Sequence, residues 1–97
     1  MSAPVSIGII GAGIMGERML RAVLDQSPDL VRAAGIWDPA AEAMARIGNE
    51  LPQVAMLDGA DSVIAASDCV YIASPPSSHL GHARAALDAG RSVFCEK

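Results

Sequence analysis

A β-branched run from Val5 to Ile10 breaks at Gly11-Ala12-Gly13, and beyond it apolar positions recur at Met15, Met19, Leu20, Val23 and Leu24. That three-to-four spacing is an amphipathic helix, so the chain opens as strand, tight turn, helix. Leu30 to Trp37 is a second apolar run. Asp38-Pro39 then supplies an N-cap and a first-turn proline for a helix to about Ile47, closed by Gly48-Asn49. Gln53 to Leu57 is a short third strand, and Asp58-Gly59 turns into a helix from about Ala60 to Ala66. Asp68 precedes the buried-strand run Cys69 to Ala73, ended by Ser74-Pro75-Pro76; Ser77 or Ser78 caps a helix that closes at Gly90, and Ser92 to Glu96 is the last strand. The alternation predicts a doubly wound α/β fold: about five parallel strands in the order 3-2-1-4-5, helices on both faces, and a last strand or strands missing beyond Lys97.

Hydrophobic residues make up 52% of the chain and aromatics only 3%, so the core is aliphatic, as in strands covered on both faces. A length of 97 residues fits one small domain with one core. The net charge of -4 and the lack of a Lys/Arg cluster argue against nucleic acid and anionic membranes as partners. The apolar stretch Ile7 to Met15 is short, glycine-interrupted and without a positive leader, unlike a signal peptide or a membrane span, and a cytoplasmic enzyme is the expectation. Cys69 and Cys95 lack metal-knuckle or redox spacing and read as two small strand residues, unbridged.

Gly11-Ala12-Gly13-Ile14-Met15-Gly16 is G-x-G-x-x-G, directly after a strand and opening a helix, where a dinucleotide site needs it. Gly11 permits the tight turn, Gly13 admits a pyrophosphate to the backbone, and Gly16 allows close packing of helix on strand, while the helix N-terminus offers N–H donors to the phosphates. An acidic chain can therefore bind an anion without a basic patch. Asp38, 22 positions after Gly16, stands where a carboxylate accepts from the adenosine ribose hydroxyls and repels a 2'-phosphate, which favours NAD over NADP. It is equally placed to cap the following helix, and the two roles are compatible.

Asp68-x-Val-x-Ile-Ala-Ser-Pro-Pro-Ser-Ser-His, followed by Ala89-Gly90-Arg91-Ser92-Val93-Phe94-Cys95-Glu96-Lys97, carries a more specific signal. With the glycine loop it resembles the glucose-fructose oxidoreductase, inositol dehydrogenase and rhizopine-catabolism family, whose members have a P-P-x-x-H turn and an A-G-k-x-V-x-x-E-K-P segment. The proline expected next lies past the last residue. The resemblance implies that Ser74, Pro75 and Pro76 line the cofactor near the nicotinamide ribose and that His79 faces the same cleft. It also implies that Glu96 and Lys97 end the last strand on the cofactor side, with Lys97 catalytic in the proton transfer that accompanies hydride transfer. Without the resemblance, Glu96-Lys97 reads as a solvated pair, and His79 and His82 as surface histidines.

The expectation is the nucleotide-binding Rossmann domain, residues 1–97, of an NAD(P)-dependent oxidoreductase acting on a sugar, polyol or related small molecule. The resemblance further implies a second α+β domain bearing the substrate site, a partner for Lys97 and a homo-oligomer interface. A pyrroline-carboxylate reductase or hydroxyacid dehydrogenase shares the opening motif but not the Glu96-Lys97 ending. A nucleotide-sensing module without turnover is the alternative from a different class.

Overall fold

The computed structural model describes residues 4–74 and 76–95, and the side chains of all of these except Pro76 and His79. Strand β1 spans Val5–Ile10, helix α1 Ile14–Leu24, β2 Val31–Trp37, α2 Ala41–Glu50, α3 Ala60–Ala66, β3 Cys69–Ile72, α4 Pro76–Asp88 and β4 Ser92–Cys95. The strands form one parallel sheet in the order β2-β1-β3-β4. Reversal of direction at β1, with β2 on one side and β3 on the other, is the switch that opens a crevice at the carboxyl ends of a doubly wound sheet.

One expected strand shrinks. Gln53 to Leu57 contributes a single parallel bridge, Ile36 to Met56, with two backbone hydrogen bonds: Ile36 N to Ala55 O at 3.1 Å and Leu57 N to Ile36 O at 2.9 Å. It lies outside β2, where the expected order 3-2-1-4-5 puts it, so among the described residues the regular sheet has four strands instead of about five. Only Met56 of this stretch bridges to β2, between a turn at Pro52 and Gln53 and bends at Asp58 and Gly59.

Two apolar layers sandwich the sheet. Ile9, Tyr71, Ile36 and Ala33 pack with Leu20 and Met19 of α1 and Ile47, Met44 and Ala43 of α2. Ile10, Val70, Ile72, Trp37 and Val93 pack with Val63 and Ile64 of α3 and Ala86 and Ala83 of α4. Full burial of Ile9, Ile10, Leu20, Ile36, Ile47 and Ile72 places the main hydrophobic stabilisation here, at about 1.5–3 kcal/mol for each such side chain. In β2 the pairing with β1 slips: Ile7 faces Ala33 but Gly8 faces Gly35, leaving Ala34 as an extra residue in a β-bulge. Gly35 has φ +152° and lies under the Leu57 side chain, whose Cδ1 would be 2.6 Å from an added Cβ, so glycine alone fits there.

At the amino ends of the strands Asp68 ties β3 to β1. Its carboxylate accepts from Ser6 N at 3.0 Å and Ser6 Oγ at 3.1 Å, and these two bonds hold the carboxyl below its usual pKa range. Cys69 and Cys95 are both free: Cys69 pairs with Ser92 across β3 and β4 while Cys95 pairs with Ile72, so the two thiols stand at opposite ends of the ladder. Burial and the neighbouring Asp68 push the Cys69 thiol up. Among the described residues no helix is long and apolar enough to cross a membrane.

Candidate functional site

The crevice is built where β1 and β2 end. Gly11 takes φ +113°, and an added Cβ would meet Ala73 C and Ser74 N at 2.7 and 2.8 Å, so the turn requires glycine. Backbone bonds lock it in place: Gly11 N donates to Trp37 O at 2.7 Å and Ala73 N to Ile10 O at 2.8 Å. Gly16, buried in the first turn of α1, packs its Cα against the Gly11 carbonyl oxygen, which an added Cβ would strike. Gly13 differs from both. It caps α1 in an extended conformation, is exposed, and has nothing within 4 Å of the space a Cβ would fill.

That open space lies at a helix N-terminus, whose first N–H groups lack intrahelical acceptors and carry the positive end of the helix dipole. The combination of donors and room suits an anion held against the backbone. Ile14, next along, is 76% exposed despite being apolar, and Met15 is half-buried.

Asp38 follows β2 and reaches in two directions. Its Oδ2 accepts from Ala12 N in the glycine loop at 2.8 Å, and its Oδ1 accepts from Ala40 N at 2.7 Å. The second bond corrects the expected cap. The N-cap of α2 is Ala40, without a side-chain bond, and the helix runs Ala41–Glu50, so Pro39 precedes it and Gly48 lies inside it. Asp38 instead closes a turn onto the N–H two residues on, a conformation aspartate forms readily before a helix. Each carboxylate oxygen retains acceptor capacity for a hydroxyl.

Beside Asp38 lies a cavity of about 260 Å³ lined by Ile10, Trp37, Asp38, Pro39, Ser74, Ser78 and His82. Trp37 and His82 meet edge-to-face, ring centroids 6.5 Å apart at 82°, a geometry in which aromatic pairs attract. Ser78 Oγ donates to Ser74 Oγ at 2.8 Å across the start of α4. This volume is near the lower end, about 300 Å³, of small-molecule sites, and matches one ring system more than a whole dinucleotide. A second cavity of about 270 Å³ sits near the start of β2, lined by Val31, Arg32 and Val23 among others, at the opposite end of the strands from the glycine loop.

The structure thus brings Gly11, Gly13, Ile14, Met15, Gly16, Asp38 and Ser74 to one edge of the sheet. Pro75, Glu96 and Lys97, and the side chains of Pro76 and His79, lie outside the described residues. Neither Ser77 nor Ser78 caps α4, which begins at Pro76. Sequence reasoning missed Trp37, Pro39, Ser78 and His82 as cavity residues. The available signal was one rare aromatic immediately before the acidic residue. No His, Cys, Asp or Glu cluster among the described residues could hold a metal ion.

The chain is similar to known dehydrogenases in sequence and fold. An inositol 2-dehydrogenase from Cereibacter sphaeroides is 35% identical over 94 residues, which are 94% of this chain and 27% of that protein. UDP-N-acetylglucosamine 3-dehydrogenase from Acidithiobacillus ferrooxidans superposes with a TM-score of 0.85 at 28% identity, covering 99% of this chain and 30% of that one. Biliverdin reductase from Synechocystis, solved with biliverdin and NADP+, superposes with a TM-score of 0.88 at 25% identity, covering 98% and 30%. The chain spans less than a third of the length of the curated relatives it matches. Residues 5–97 match the Gfo/Idh/MocA profile, an oxidoreductase family with an NAD-binding Rossmann fold, and the chain belongs to that family.

Proposed function

We propose that this chain is the nucleotide-binding part of a dehydrogenase that binds NAD(H) in preference to NADP(H) and acts on a sugar, polyol or related small molecule. The observation that carries the reading is Gly13: an exposed glycine at a helix N-terminus with empty space beside it, between the glycine turn and Asp38. In this reading the pyrophosphate lies against Gly13 and the first turn of α1 at Ile14, Met15 and Gly16. The adenine enters the Trp37–His82 cavity, and Asp38 accepts from the ribose hydroxyls. Pro75, Pro76, His79 and Glu96 border the nicotinamide half, following the family resemblance, which assigns Ser74 there too, whereas its place in the wall of the Trp37–His82 cavity puts Ser74 beside the adenosine half.

NAD, when bound, takes up or gives the hydride. Lys97 is the proposed catalytic residue, moving the proton at the substrate's oxygen as that hydride leaves or arrives. The substrate site, the oligomer interface and a cytoplasmic location belong to the same proposal; the inositol and sugar dehydrogenases among the relatives support its substrate class.

A competing nucleotide specificity has support in the fold itself, because the biliverdin reductase neighbour holds NADP+. Asp38 decides between them. Quenching of Trp37, the chain's one tryptophan, reports binding at the cavity. NAD is expected to bind at least about tenfold more tightly than NADP, a difference of about 1.4 kcal/mol. Asp38→Ser should erase that preference, and equal affinities in the unaltered protein would remove the ribose role from Asp38.

Lys97→Met in the intact protein is expected to leave NAD affinity within about twofold and to cut turnover at least about a hundredfold. Turnover that survives the substitution would point to a different proton carrier.

A further inference from the structure

Arg46 of α2 stands outside the cavity yet reaches the glycine loop. Its Nη2 donates to Ala12 O at 3.2 Å, while its Nη1 pairs with Glu17 Oε1 of α1 and, at 3.1 Å, with Glu50 Oε2 one turn further along α2. Glu17 is held in turn by Arg21 Nε at 2.8 Å. Ala12 is therefore gripped through the two peptide groups that flank its Cα, the Ala12–Gly13 carbonyl by Arg46 and the Gly11–Ala12 N–H by Asp38 at 2.8 Å.

Stability alone is a weak reason for this arrangement. The side chains of Arg21, Arg46 and Glu50 are nearly half exposed, and ion pairs in such positions contribute little. The Glu17 carboxyl is held below its usual range, first by the Arg46 bond and then by Arg21, so the anchor stays charged. Ala12 lies between Gly11, which fixes the turn, and Gly13, which faces the open space. Rotation of the Ala12–Gly13 peptide would swing Gly13 and the start of α1 away from a bound diphosphate. A planar guanidinium forks between a carboxylate and a carbonyl in fixed geometry, which a lysine ammonium does not do.

We propose that Arg46 is a positioning residue for the diphosphate of the cofactor: anchored by Glu17 and Glu50, it fixes the Ala12–Gly13 peptide so that Gly13 is presented to the ligand in a set orientation. The inference rests on the dinucleotide reading above and adds a residue that touches neither phosphate nor base.

The test separates the glycine loop from the cavity by using two probes, ADP-ribose, which spans both, and adenosine, which fills the cavity without a phosphate. Both are titrated against Trp37 fluorescence in the unaltered protein and in Arg46→Met, Arg46→Lys and Glu17→Gln. Arg46→Met should weaken ADP-ribose about tenfold and leave adenosine unchanged. Arg46→Lys should recover part of that loss. Glu17→Gln, which loosens the anchor without touching Arg46, should lose about threefold on ADP-ribose alone. Equal losses on both probes would mean that Arg46 supports the fold and not the loop, and an unchanged ADP-ribose affinity would overturn the inference while the dinucleotide reading stands. If the unaltered protein binds adenosine but not ADP-ribose, the dinucleotide reading fails and this inference falls with it.

Discussion

Gly13→Ala is expected to weaken NAD binding at least about a hundredfold while moving the melting temperature by no more than about 3 °C. The backbone at Gly13 has φ -79° and ψ -163°, which any residue adopts, and the space for the new methyl is empty. Nothing in the folded chain therefore resists the substitution. Glycine is a better N-cap than alanine by about 1 kcal/mol, but alanine loses less chain entropy on folding, a gain of about 0.4–1 kcal/mol, and the two terms oppose one another. A phosphate oxygen, by contrast, must come within about 3 Å of the backbone N–H groups to be held. A methyl in its path removes one or two charge-assisted hydrogen bonds, each contributing about 1.5–3 kcal/mol. Calorimetric titration beside a thermal melt checks both halves. An unaltered NAD affinity would show that the dinucleotide does not pass over Gly13.

Gly16→Ala should fail in the opposite way, through the fold. Its Cβ would strike the Gly11 carbonyl oxygen, a backbone atom held by a turn that itself requires glycine, so no flexible side chain can give way. Overpacking of this kind costs about 3 kcal/mol. For a domain of this size that corresponds to a drop in melting temperature of roughly 12–24 °C. A melt within a few degrees of the unaltered protein would show that α1 can lift from β1 at little cost, contrary to the close packing described. Together the two glycines, three positions apart, separate binding from folding.

Local pattern made much of this site legible. The bounds of β1 and the glycine turn follow from a β-branched run meeting Gly11 and Gly13, where backbone sterics leave few alternatives. The carboxylate of Asp38 was readable from its spacing, but its actual partners were not. Bonding to Ala12 N depends on how closely β2 lies beside β1, and bonding to Ala40 N displaces the helix start by two residues from the expected Pro39. The short third strand reads as a strand because Val54, Ala55 and Met56 are apolar, yet apolar content does not by itself set backbone pairing, and only Met56 bridges to Ile36. His82 illustrates the largest gap. On a helix whose apolar face is weakly marked, one histidine has nothing to distinguish it, and only the approach of α4 to the end of β2 brings Trp37 to its ring.

The bulge in β2 bears on how that meeting came about. Ala33 and Ile36 both face the α1/α2 layer although they are three positions apart, while Trp37 faces the α3/α4 layer. In an unbroken strand sides alternate strictly, and Trp37 would share Ala33's side, turned toward α1 and α2. Ala34 acts as one extra beat in a two-beat rhythm, so that everything after it falls on the other foot. Upstream of the bulge β2 can vary in residue type with only local effect; a change in residue count there transposes the two layers and takes the tryptophan away from His82. One surplus alanine decides which side of the sheet owns the chain's single tryptophan.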